Sequence, residues 1–151
     1  IIQAVLEHVL NPQKVVSEIN RVLKNKGIVY SETPFLQSVH EGAYDFTRFT
    51  HSGHRWLFKD FKEIKSGSLN GAFSSSLFIL SYTIAAFFRN RFVGIFIRLI
   101  FRRLVTIMDK LISEKSNVDL SCGCYFMGQK DSKFRNPIKA KDISSYYEGS
   151  Q

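Results

Sequence analysis

Only two of the 151 residues are cysteine, Cys122 and Cys124. Alternate residues of a strand point to one side, so a C-x-C pair is poor geometry for a mutual disulfide. A zinc site would need a second pair of ligands at a recognisable spacing, and none follows; no residue pattern marks a metal site. The two thiols are expected to be small buried residues on one face of a strand. No G-x-G-x-x-G or G-x-G-x-G occurs, which excludes a glycine-rich loop cradling a cofactor within these residues. Acidic residues are in deficit, 13 against 21 Lys and Arg, for a net charge of +8. That excess favours an anionic partner, whether nucleic acid, a phosphorylated small molecule or an acidic membrane surface, without choosing among them. It is also uneven. Arg89, Arg91, Arg98, Arg102 and Arg103 share one apolar stretch, and Lys130, Lys133, Arg135, Lys139 and Lys141 lie in the tail. There is no internal repeat and no secretory signal pattern.

What is present is globular in composition and sized for one domain, with fourteen Phe pointing to a large core, a greasy pocket or contact with lipid. Ile1 to Leu6 reads as a buried strand. Asn11-Pro12 opens a helix, Asn as cap and Pro at the first helical position. Val15, Val16, Ile19, Val22 and Leu23 form its apolar face, and Gly27 is expected to supply a left-handed stop. "GIVYSETPF" is the next strand. Two parallel strands joined by a capped helix make a βαβ unit, and such sheets bind ligands beyond the carboxyl ends of their strands. Here those ends are "LEHV" (6–9) and "ETPFLQSVH" (32–40), which brings His8 and His40 to one crevice.

Further along, "THSGHRWLF" predicts a short helix capped by Thr50 or Ser52, and "FKEIKSGSL" a weakly patterned strand. Residues 72–88 carry no charge at all. They are followed by an amphipathic pattern in which Phe96, Ile100, Leu104, Ile107 and Leu111 repeat at helical spacing, with Arg91, Arg98, Arg102 and Asp109 on another face. "CGCYFMGQK" predicts a closing strand, and the polar residues 131–151 a disordered tail.

The stretch "VLEHVLNPQKVVSEINRVLKNKG" resembles class I S-adenosylmethionine-dependent methyltransferases of the type 11 family. They carry a strand ending in L-E-H-V, a helix start with Pro, then E-x-x-R-V-L-K-x-x-G. Glu18, Arg21, Val22, Leu23, Lys24 and Gly27 fall in register. "PFLQSVHEGAYDFTRFT" is similar to the segment after the fifth strand in one branch of that family, with His40 and Asp45 to Thr50 in place. The resemblance implies an α/β fold, the C-terminal half of a Rossmann-like sheet (strands four to seven of the order 3-2-1-4-5-7-6) with a helical insertion. Residues 1–71 would form the partial core, 72–112 the insertion or cap, and 113–130 the final strand. The chain is then a fragment whose glycine-rich loop lies elsewhere.

The resemblance further implies S-adenosylmethionine as cofactor, with Ala4, Val5, Glu7 and His8 near it, and Glu7 holding the loop through backbone N–H groups. His40 is the candidate catalytic residue, with Asp45, Phe46 and Arg48 as substrate-binding candidates. Asp45 and Arg48 equally well pair with each other. Trp56 and Phe58 read as core. The acceptor is expected to be a small molecule or a lipid-linked one. The 72–112 stretch either caps the site, lies on an anionic membrane surface or spans the bilayer, which takes ~20 apolar residues. A cytoplasmic protein, peripheral at the membrane, is expected. Nucleic acid is disfavoured, because the N-P-P-Y-type motif of nucleic-acid methyltransferases is replaced by His8-Val9-Leu10-Asn11. A competing reading is a non-catalytic membrane-associated or partner-binding protein with a degenerate methyltransferase fold.

Overall fold

Asn11 and Pro12 start a helix as their chemistry requires. The computed structural model, which describes residues 1–133 and 137–151, places helix α1 at Pro12–Val22, with the Asn11 side chain accepting from the Lys14 N–H at 3.0 Å. It connects strand β1 (Ile2–Gln3) to strand β2 (Ile28–Pro34), which pair in parallel with Ile2 opposite Ser31. β1 is shorter than the apolar run suggested. Ala4 adopts φ 50° and Leu6–His8 coil into a 3-10 turn, so the strand stops at Gln3. The left-handed stop after α1 falls on Lys26 (φ 67°), not on Gly27. Gly27 is needed for space instead, since a Cβ there would lie 2.8 Å from Leu23 Cγ and from the Lys24 carbonyl.

Helix α2 (His51–Leu57) takes Thr50 as its cap, the threonine hydroxyl accepting from the Gly53 N–H. Strand β3 (Lys62–Leu69) and strand β4 (Gly123–Gln129) complete a sheet of order β1-β2-β4-β3, with β4 antiparallel to both neighbours. Leu6, Val16, Val29, Phe58, Phe61 and Phe126 form the core between this sheet and helices α1 and α2. Phe58 and Phe126 stack with ring centroids 4.9 Å apart. The inward residues of β2 alternate as Val29, Ser31 and Thr33, all buried. Cys122 and Cys124 are free and buried, and burial pushes both thiols up to about 11. Neither is a nucleophile near neutral pH.

Between β3 and β4 the chain builds a helical hairpin, α3 (Ala72–Phe87) and α4 (Arg91–Asp109), and a further short helix α5 (Glu114–Leu120) that the sequence pattern did not announce. The apolar stripe of α4 faces outward. Phe96, Ile100, Leu104, Ile107 and Leu111 are exposed. Two residues of the polar face turn inward: Arg98 lies over the Phe78 and Tyr82 rings, and Asp109 accepts from the Gly71 and Phe73 N–H groups at the start of α3, while Arg91 and Arg102 are exposed. Gly94 and the buried Ser81 decide this, because a Cβ at Gly94 would lie 2.7 Å from the Ser81 carbonyl. Among the described residues no helix is long and apolar enough to cross a membrane, so the spanning alternative falls.

The tail is not featureless either. Ala140–Tyr146 form a 3-10 turn, Arg55 lies over the Tyr146 ring, and the Tyr147 hydroxyl donates to Asp119 of α5. Arg135, counted among the tail cations, lies outside the described residues.

Candidate functional site

The parallel pair β1 and β2 ends at a cleft of about 120 Å³ whose lining includes Ala4, Glu7, Glu32, Thr33 and His40. The 3-10 turn at Leu6–His8 fixes the geometry. It drives Leu6 into the core, carries Glu7 with it, and leaves His8 half-buried beside the loop that returns from β2. Glu7 is fully buried, and neither carboxylate oxygen has a hydrogen-bond partner among the described residues. Two imidazoles face it. His8 Nε2 lies 3.7 Å and His40 Nε2 3.6 Å from Glu7 Oε1, both too long for a hydrogen bond. The two rings meet edge to face, centroids 4.9 Å apart and planes at 89°.

Each imidazole is held from behind. His8 Nδ1 donates to the Tyr44 carbonyl at 2.8 Å, which leaves Nε2 facing Glu7. His40 is anchored through its backbone, whose N–H donates to Asp45 Oδ2 at 2.9 Å, and its Nδ1 lies 3.6 Å from the same oxygen. Arg48 grips Asp45 with both terminal nitrogens, Nη2 to Oδ2 at 2.5 Å, and also donates to the carbonyls of Thr47 and Ser38. The guanidinium beside Asp45 holds its carboxyl down to about 2, against the usual 3.8. Asp45 and Arg48 therefore engage each other, and what they do in this structure is stiffen the His40 loop. Phe46 stands next to them, 44% exposed.

All the candidates read from the sequence lie around this one cleft or its loop, though not in the roles first given to each. Glu7 ties the loop down with its backbone carbonyl, which accepts from the Phe46 and Thr47 N–H groups, rather than with its carboxylate. Ala4 and Val5 are exposed at the turn, and the Ala4 N–H donates to the Glu32 carbonyl. Glu32 went unnoticed in the sequence. It lines the cleft and accepts from Gln3 and Tyr30, the latter bond raising the Tyr30 phenol to about 12. Also unnoticed was the convergence of Glu7, His8 and His40, each offering a ligand atom within 4.8 Å of the others. The available signal was positional, a Glu-His pair at one strand end and a His beyond the next. Trp56 carries Lys59 over its ring and Phe58 is wholly buried, both away from the cleft.

No curated protein matches the chain. Residues 1–31 match the family model of a methyltransferase domain. This span holds β1, the Glu7-His8 turn, α1 and the first half of β2. The βαβ unit on which the cleft is built thus carries the sequence pattern of a type 11 methyltransferase domain.

Proposed function

We propose that the chain is the acceptor side of an S-adenosylmethionine-dependent methyltransferase and that methyl transfer takes place at the Glu7–His8–His40 cleft. One observation carries this reading: the cluster stands at the carboxyl ends of a parallel strand pair, inside or beside the segment that matches the methyltransferase domain. The order β1-β2-β4-β3, with β4 antiparallel, supports reading these strands as four, five, seven and six of a 3-2-1-4-5-7-6 sheet. On that reading the free edge of β1 adjoins the strands that hold the rest of the cofactor. The cleft fits this division. At about 120 Å³ it is smaller than the ~300–1,000 Å³ that encloses a whole ligand, and it suits a methyl group and the reacting end of an acceptor.

When bound, S-adenosylmethionine supplies an electrophilic methyl on a sulfonium. The task of these residues is to align the acceptor and exclude water. With that group bound, the cluster would hold the acceptor in line with the methyl and receive the proton that the acceptor gives up. His40, on the solvent side of Glu7, is the proposed catalytic residue, with Phe46 beside it for acceptor contact. Ala4, Val5, Glu7 and His8 face the cofactor's methyl end. Transfer of labelled methyl by the native protein, wild type against His40→Gln, tests the assignment.

The acceptor is proposed to be lipid-linked and met at an anionic membrane surface through the α3–α4 hairpin. A helix pair that lives in water buries its large apolar side chains and exposes charge. This pair leaves large apolar side chains exposed alongside its arginines. Its contact is made by small residues, Ser81, Ala85 and Gly94, while Phe87, Phe88 and Phe92 crowd exposed around its turn. Packing through small residues is how helices associate when lipid covers their outer faces. Charge complementarity gives the lipid its sign. Between Ala72 and Met108 there are five arginines and no acidic residue.

A further inference from the structure

From the geometry we infer that Glu7, His8 and His40 form a binding site for a first-row divalent transition-metal ion, with zinc the natural probe. The carboxylate of Glu7 is fully buried and has no hydrogen-bond partner among the described residues. Burying an ionised carboxylate without pairing it carries a large desolvation penalty, so such a group is normally paired or bound to a metal. The chain places no arginine or lysine on Glu7 and no backbone N–H. What it places there are two imidazole nitrogens, 3.6 and 3.7 Å from Oε1. Those gaps are too long for hydrogen bonds and close to the separation of two ligands on one ion. Bonds of about 2.0–2.2 Å set neighbouring donor atoms roughly 3.0–3.5 Å apart. All three donor atoms lie within 4.8 Å of one another, so the two imidazoles draw together by about 1 Å or more when an ion is held.

The surroundings have the features of an outer shell. Ligating histidines pass their other N–H to a carbonyl or carboxylate, which fixes the tautomer. His8 Nδ1 does so to the Tyr44 carbonyl at 2.8 Å. His40 Nδ1 faces Asp45 Oδ2 at 3.6 Å, and Asp45 is itself locked by Arg48. Arg48 Nη2 donates toward the same imidazole nitrogen at 3.5 Å, so an ion at Nε2 would have to switch His40 to the tautomer that donates to Asp45. Two imidazoles and one carboxylate suit zinc, cobalt, manganese or iron in the divalent state, and suit magnesium and calcium poorly. Three protein ligands leave a position open toward the cleft. An ion there would act as a Lewis acid that lowers the pKa of a hydroxyl brought to it, and His40 would then act on the acceptor's proton through the ion. That role rests on the methyl-transfer reading; the site itself does not.

The test is calorimetry and equilibrium dialysis of chelator-stripped protein against zinc chloride, with metal counted by elemental analysis. We expect one ion per chain, retained through excess magnesium. Glu7→Gln and His40→Gln should each weaken it by about a hundred-fold or more, at or above the loss seen when only an outer-shell partner is removed. Should Glu7→Gln not fold, His40→Gln, on a half-exposed loop, decides. Cobalt substitution adds a spectroscopic check, because a nitrogen and oxygen site lacks the thiolate charge-transfer band that Cys122 and Cys124 would produce. No retained zinc in folded protein, equal affinity in the variants, or a thiolate band would each overturn the site. Stoichiometric zinc in a protein that transfers no methyl would leave the site standing and sink only the methyl-transfer reading.

Discussion

The outward apolar face of α4 allows a prediction in which charge and burial are separated. Phe96, Ile100 and Leu104 are 64%, 54% and 51% exposed, so serine at all three positions removes few contacts within the protein and should leave the melting temperature nearly unchanged. Full burial of such a side chain contributes about 1.5–3 kcal/mol, and about half of each remains to be buried in lipid. The triple variant should therefore lose about 3 kcal/mol of membrane affinity, roughly two orders of magnitude. Charge is tested with Arg89, Arg102 and Arg103, all exposed. At about 1 kcal/mol per basic residue near an anionic surface, their replacement by Gln should also weaken binding by roughly a hundred-fold. Arg98 is unsuitable because it lies over Phe78 and Tyr82 inside the hairpin, and its loss would confound packing with charge. Co-sedimentation with phosphatidylserine vesicles at low and high salt reads both variants. The arginine effect should shrink as the Debye length falls from about 10 Å at 0.1 M to about 3 Å at 1 M, while the apolar effect persists. Wild-type protein that ignores the vesicles, or variants that bind like wild type, would refute the membrane reading.

Two further outcomes follow from the core and the hairpin. Burial first, and His51 second, bring His54 down to about 3 from 6.5, so below pH 6.5 the unfolded chain takes up a proton that the folded chain refuses. Stability should fall across that window by about 2 kcal/mol at pH 5, measured by denaturant melts against pH, and His54→Gln should flatten this part of the slope; an unchanged slope in the variant would contradict the assignment. Gly94→Ala puts a Cβ 2.7 Å from the Ser81 carbonyl and should lower stability by about 1–3 kcal/mol through overpacking, with hydrogen exchange accelerated in α3 first; equal melting would mean that the helices do not meet at Gly94.

The βαβ unit was legible because its signals are local: Asn11 as cap, Pro12 at the first helical position, and apolar runs on either side. The lengths were less so. The end of β1 depends on Ala4 entering a left-handed conformation, which no propensity announces. In α4, periodicity identified an apolar stripe and a polar one correctly, but which of them meets the rest of the protein depends on what lies outside. With Gly94 and Ser81 at the contact, Arg98 and Asp109 lie inward. At the site, His8 and His40 could be placed at one crevice from strand ends alone. That Glu7 would be buried between them without a partner is a property of side-chain placement, thirty-odd residues apart in sequence, and no spacing rule reaches it.

The most direct measurement is methyl transfer itself. Native protein is incubated with methyl-tritiated S-adenosylmethionine and membrane-lipid or small-molecule extracts, and label is followed into the extractable acceptor. Wild-type protein should transfer label. His40→Gln should lower turnover by about 10²–10⁴-fold, the range for a residue acting on the reacting proton, with cofactor affinity retained. Absence of transfer to any acceptor, or a His40→Gln variant as fast as wild type, would contradict the account.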